Sequence, residues 1–281
     1  MPTMRISISF LLGVAVLAGS THSQRPIEEQ TDAQRQSYNA GRRLSVGFMV
    51  YDGYAPLDFW GPMQIFTGLS NQYNMSLSII SKNIGPVSSS YPPRVTPNGE
   101  AIPNPEINSS VMATHTPVSA PKLDLLLVPG AAVVNVNSGN DTWKEDFVKA
   151  RFDSTDYVVS VCTGSMILAK AGVLENKRAT TNKLDWKEVV KYGNSVDWVP
   201  TARWTQDGKI WTSSGVAAGM DMTYALLSWM YGSEKVNFTM NLIELSPHTN
   251  QHWDPYSVVH KVPGANMSIP LKELVGPVGF D

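Results

Sequence analysis

Two short apolar runs fix the class of fold open to this chain. Leu123-Asp124-Leu125-Leu126-Leu127-Val128 and Tyr157-Val158-Val159-Ser160-Val161 are shorter than ordinary helices and lack polar–apolar alternation. Strands of that kind are buried on both faces, as in a parallel sheet covered by helices on either side. Each run ends in a turn, Pro129-Gly130-Ala131-Ala132 after the first and Cys162-Thr163-Gly164-Ser165 after the second. Two further strands are predicted over Leu44–Val50 and Met75–Ile80. Helices are predicted between the strands, over Pro56–Phe66, Trp143–Phe152, Met166–Leu174, Leu184–Tyr192 and Ala217–Met230. Ala202-Arg203-Trp204-Thr205 pairs across Asp207-Gly208 with Ile210-Trp211-Thr212. This alternation predicts an α/β domain with a mainly parallel sheet, whose ligands gather at the carboxyl ends of the strands.

The flanks read differently. Arg5 followed by the apolar stretch Ile6–Ala18 is too short for a comfortable membrane span and reads as a signal peptide, residues 1–23, cleaved after Ser20 or Ser23. Residues 24–43 lack apolar periodicity and are expected to be a mobile arm, ahead of a domain over 44–245. The tail 246–281 is expected to be an irregular extension. Residues 85–121, rich in Pro, Ser, Thr and Asn, read as a surface excursion with a short hairpin around Val95–Ala101. Sequons at Asn74, Asn108, Asn140, Asn237 and Asn266 join the leader in predicting a secreted eukaryotic, fungal-type glycoprotein. With a single cysteine, no intrachain disulfide can form. A net charge of −2 without any basic run argues against nucleic acid, and no second segment is long enough to span a membrane.

Cys162 is the residue of greatest chemical interest. It stands where a strand turns into a helix, a place where backbone N–H groups and the helix dipole stabilise a thiolate. Taken alone, it could equally be a buried structural cysteine. Its neighbours decide between the two readings. Three loops should meet at the sheet edge, carrying Asp58, Gly130 with Ala131, and Cys162 with Thr163. A carboxyl beside sulfur can give and take protons, and N–H groups of a Gly-rich turn can stabilise developing negative charge. His248 and His252 have a metal-like spacing but no third ligand, and are read as loop residues. Trp60, Trp204 and Trp211 are read as core or pocket wall, and Asp221 as a helix cap or dipole partner.

The pieces in order carry a resemblance. Val159-Ser160-Val161-Cys162-Thr163-Gly164-Ser165, Leu168-Ala169-Lys170-Ala171-Gly172-Val173-Leu174 and Lys177-Arg178-Ala179-Thr180-Thr181 resemble the ThiJ/PfpI superfamily. So do Asp52-Gly53, Leu57-Asp58-Phe59-Trp60-Gly61-Pro62, Leu127-Val128-Pro129-Gly130 and the run Thr212–Asp221, giving a likeness from about Leu44 to Gly232. The resemblance implies a flavodoxin-like three-layer sandwich, related to class I glutamine amidotransferases, with a nucleophile-elbow cysteine. Asp-x-x-Gly-Pro and Cys-Thr-Gly are most similar to the isonitrile hydratase branch. On that likeness Cys162 attacks the terminal carbon of R–N≡C, Asp58 handles protons, Thr163 assists through its hydroxyl, and water releases an N-substituted formamide. A small-molecule substrate, no cofactor and a homodimer are also implied. Two alternatives are a glyoxalase- or deglycase-like enzyme on reactive carbonyls and a non-catalytic ligand-binding or redox-sensing secreted protein. The chain departs from the pattern at Asn182, where hydratase-like members have histidine after Ala-Thr-Thr. Thr163 stands where protease-like members place a histidine, which disfavours a Cys-His-Asp hydrolase. The mature chain's histidines are His115, His248, His252 and His260.

Overall fold

A computed structural model describes residues 26–90, 94–95, 98–102, 107–137 and 139–268; the leader predicted over 1–23 lies outside them. In chain order the elements begin with α1 (Asp32–Ala40), β1 (Leu44–Met49), α2 (Pro56–Leu69) and β2 (Met75–Ile80). The excursion contributes β3 (Gly85–Ser88), β4 (Arg94–Val95), β5 (Ala101–Ile102) and β6 (Ser110–Ala113). Then come β7 (Leu125–Val128), α3 (Val133–Val136), α4 (Trp143–Arg151), β8 (Tyr157–Ser160) and α5 (Gly164–Lys170). The remainder is β9 (Arg178–Ala179), α6 (Trp186–Val189), β10 (Asp197–Trp198), β11 (Trp204–Asp207), β12 (Ile210–Ser213), α7 (Val216–Tyr231), α8 (Ser233–Leu242) and α9 (Tyr256–Val259).

Six strands form the central sheet in the order β11-β12-β8-β7-β1-β2. All neighbours pair parallel except β11, which closes the edge as the antiparallel hairpin partner of β12. The two apolar runs are adjacent, Leu125 opposite Tyr157 and Val128 opposite Ser160. Alternate residues of a strand face opposite sides, so each run feeds two cores. Leu125, Leu127 and Val159 pack with Phe59 and Phe66 of α2 and Met222 and Leu226 of α7. Leu126, Val128 and Val158 pack with Phe147 and Val148 of α4 and Met166–Leu168 of α5. The result is the expected three-layer α/β sandwich. β1 leads outward to β2 while β7 and β8 build the other way, so the strand order reverses between β1 and β7. The loops after β1, β7 and β8 therefore share one edge.

The described part of the segment expected to be a mobile arm, residues 26–43, is ordered by a helix. Its latter half is α1, started by a capping box in which the Thr31 side chain and Gln34 satisfy each other's backbone N–H. The helix docks through polar side chains. Arg35 Nε donates to Trp229 O at 2.9 Å with its guanidinium stacked on the Trp229 ring, and Asn39 Nδ2 donates to the Tyr157 hydroxyl at 2.9 Å. A face built from Arg and Asn leaves no apolar periodicity to read. The excursion holds two antiparallel pairs, β3 with β6 and β4 with β5, the latter at the expected hairpin. Helix bounds shift modestly: α5 starts at Gly164, directly after the Cys162-Thr163 turn, and α6 covers only Trp186–Val189. The described part of the tail, 246–268, is irregular apart from α9, yet it is anchored: Gln251 O accepts from Arg203 N at 2.8 Å and Thr201 O accepts from Asp254 N at 2.7 Å.

Candidate active site

At the end of β8 the chain turns sharply. Cys162 has φ of 58°, the left-handed region that non-glycine residues rarely enter. Its backbone is fully engaged. The N–H donates to Ser214 O at 2.9 Å, and the carbonyl accepts from the Ser165 and Thr181 hydroxyls, each at 3.1 Å. Gly164 lets α5 start against β7, since a Cβ there would lie 2.3 Å from Val128 O. This packing over-determines the strained cysteine and holds it in the elbow.

Asp58 comes to the same place from the first turn of α2 and is fully buried. Its Oδ2 accepts from Gly130 N at 2.8 Å, while Oδ1 has no hydrogen-bond partner. Gly130 must be glycine, because a Cβ would stand 2.7 Å from Thr163 N and Oγ1 and 2.9 Å from Asp58 Oδ2. Burial pushes the Asp58 carboxyl up to about 7, with the Gly130 N–H and the Cys162 thiol pulling the other way. The structure thus brings Asp58, Gly130, Ala131, Cys162 and Thr163 together.

Three details differ from expectation. The Thr163 hydroxyl is not free: it donates to Ala131 O at 2.6 Å and accepts from Ala131 N at 2.9 Å. Thr163 therefore clamps the β7 loop. The Gly130 and Ala131 amides are likewise taken, by Asp58 and by Thr163, and neither is available to a substrate oxyanion. The thiol is not depressed. Burial pushes it well above its ordinary value, and the neighbouring Asp58 charge adds to this; the Thr163 amide and Asn182 pull it back. A seven-residue helix does not outweigh the burial of a cysteine only 5% exposed beside an acid.

Asn182 is the thiol's side-chain partner that the motif reading did not place at the site. Its Nδ2 donates to Cys162 Sγ at 3.2 Å, and its Oδ1 accepts from Asp185 N at 3.1 Å, which aims the amide at sulfur. The only sequence signal was its departure from histidine. Asn182 also walls a cavity of about 320 Å³ together with Leu184, Ser214, Val216, Tyr256 and His260. Of the histidines among the described residues, His260 is the one in that wall. A second cavity, about 390 Å³, lies among Tyr51, Asp52, Lys82, Asp141 and Trp143; none of the five expected site residues lines either cavity, and the first approaches Cys162 only through Asn182. Trp204 and Trp211 are core; Trp60 is 44% exposed. Asp221 is neither cap nor dipole partner but pairs with Arg203 at 2.7 Å. Among the described residues no group of three or more His, Cys, Asp or Glu could hold a metal ion.

Residues 44–228 match the model of the DJ-1/PfpI family. An isonitrile hydratase of Pseudomonas putida is 28% identical over 205 residues, covering 73% of this chain and 79% of the relative. Among solved structures, a ThiJ/PfpI family protein from Pseudomonas syringae superposes with a TM-score of 0.59 at 22% identity, covering 82% of this chain and 84% of that one. Drosophila melanogaster DJ-1beta gives 0.57 at 15% identity, covering 73% of this chain and 100% of that one. At those identities the two structures attest the fold.

Proposed function

This chain belongs to the DJ-1/PfpI family, and from that premise we propose that it is a cysteine-dependent enzyme of isonitrile hydratase type. One observation carries the reading. A buried thiol faces a buried carboxyl with an unpartnered oxygen, and that carboxyl changes protonation near neutral pH. Such a pair moves one proton between two atoms. Cys162 passes its proton to Asp58 as sulfur bonds the terminal carbon of R–N≡C. Asp58 then delivers that proton to the same carbon, leaving an S–CH=N–R thioimidate. The Asn182 amide and the Thr163 N–H stabilise charge on sulfur during the attack. Water adds to the thioimidate carbon, the C–S bond breaks, and the thiol regains a proton as the N-substituted formamide leaves. One water is consumed and no electrons are exchanged.

The likeness to the Pseudomonas putida hydratase supports the choice of substrate. The same reading makes the mature protein a secreted glycoprotein and a homodimer; the five sequon asparagines are all solvent-exposed. The test is loss of the isonitrile infrared stretch, with cyclohexyl isonitrile, by wild type and Cys162→Ala. Turnover that disappears in Cys162→Ala supports the proposal. Equal turnover by both proteins, or none by wild type while methylglyoxal is consumed, overturns it, the latter in favour of carbonyl chemistry.

A further inference from the structure

The family match ends at residue 228, yet the cavity beside the thiol is completed by residues from beyond it. Tyr256 and His260 belong to the tail, stack on each other with ring centroids 6.4 Å apart, and line the same cavity as Asn182. Because Asn182 also donates to Cys162 Sγ, the cavity begins one side chain from the sulfur. The tail is held there by a buried ionic knot. Arg203 pairs with Asp221 at 2.7 Å and with Asp254 at 3.4 Å, and Asp254 Oδ1 also accepts from Tyr256 N at 3.1 Å. Ser257, Val258 and Val262 are buried behind the wall.

The cations in the lining do not call for an anion. Arg203 is matched by two carboxylates, and Lys183 Nζ is turned away to Thr180 Oγ1, Thr181 O and Ala202 O. What faces the space is apolar: Val216 and Ala218, with Leu184 left 71% and Tyr256 42% exposed at its rim. Apolar side chains gathered and exposed around a cavity mark a ligand groove.

We propose that the tail segment 250–262 is a wall of the substrate pocket, and that Tyr256 with His260 selects uncharged electrophiles carrying an aromatic or cyclic apolar group over small ones. This rests on Cys162 being the reacting nucleophile. The test needs no turnover. Cys162, the single cysteine of the chain, is alkylated in the full protein by iodoacetamide and by N-benzyl iodoacetamide, and each rate is divided by that of the unfolded protein. Loss of an aromatic contact lowers the benzyl-to-parent rate ratio about fivefold in Tyr256→Ala, and His260→Ala lowers it in the same direction. Tyr256→Phe keeps the ratio, because the ring and not the hydroxyl makes the contact. A ratio unchanged or raised in both alanine variants overturns the proposal and leaves the nucleophile reading standing. A wild-type Cys162 that reacts with neither reagent overturns both.

Discussion

Replacing Asp58 by Asn should stabilise the protein, and only above a predictable pH. The folded carboxyl sits at about 7 against an ordinary value of 3.8, because it is buried. Its folded value is raised, so the native state holds the proton more tightly than the unfolded chain does. Below about pH 4 both states are protonated and the group contributes nothing. As the pH climbs, the unfolded chain ionises first and stability is lost, until both states are ionised above about 7. A separation of roughly three pH units at about 1.4 kcal/mol each comes to about 4 kcal/mol. Asn is always neutral, its side-chain oxygen can still accept from Gly130 N, and it escapes this loss. Urea unfolding of both proteins at pH 4 and pH 8 is the assay. The variant should match wild type at pH 4 and exceed it at pH 8, with a melting temperature higher by about 10 °C. A difference that does not grow between the two pH values would refute the argument. So would a variant less stable than wild type at pH 8, since both outcomes require a carboxylate at ease in the folded site.

The same substitution acts on the thiol. Above about pH 7 the Asp58 anion helps keep the proton on sulfur, so Asp58→Asn should move the midpoint of Cys162 alkylation to lower pH; an unmoved or raised midpoint would show that the pair is uncoupled. Gly130→Ala forces a Cβ to within 2.7 Å of Thr163 Oγ1 and 2.9 Å of Asp58 Oδ2, costing about 1–3 kcal/mol in unfolding experiments and about 100-fold or more in turnover. The glycans proposed at the exposed sequons predict a mass decrease when the secreted protein is treated with an amidase that removes N-linked sugars, and each Asn→Gln change should remove one step of it.

What was legible in the sequence, and what was not, divides along physical lines. Leu125–Val128 and Tyr157–Ser160 announced themselves because a strand covered on both faces must be apolar throughout. The loops after β1, β7 and β8 then had to meet, which located Asp58, Gly130 and Cys162. Hydrogen-bond ownership was not legible. A glycine in a turn advertises a close approach but not which acceptor takes its N–H, and here Asp58 takes it. Asn182 showed only as a missing histidine, because its partner sulfur is 20 residues away in sequence. α1 and the tail were hidden for a shared reason: both dock through buried Arg, Asn and Asp side chains, whose pairing leaves no periodic trace.

The upward shift of the thiol changes how a lone cysteine in a proposed secreted protein should be viewed. Oxidants and alkylating agents attack the thiolate, so a thiolate stabilised at rest would be consumed outside the cell. Here burial and Asp58 hold Cys162 protonated, which keeps the resting site poorly reactive. The proton has a place to go only when Asp58 can accept it, and an acid near 7 is balanced to do so without a large energetic step. An uncharged substrate entering beside Asn182 would displace water from that side and leave the pair's single negative charge free to move from carboxylate to sulfur. The two amide N–H donors that face sulfur, from Thr163 and Asn182, favour the charge there. In the proposed reaction Asn182 suits this arrangement better than a base would: it donates to sulfur yet takes no proton, which would leave acid–base work to Asp58 alone.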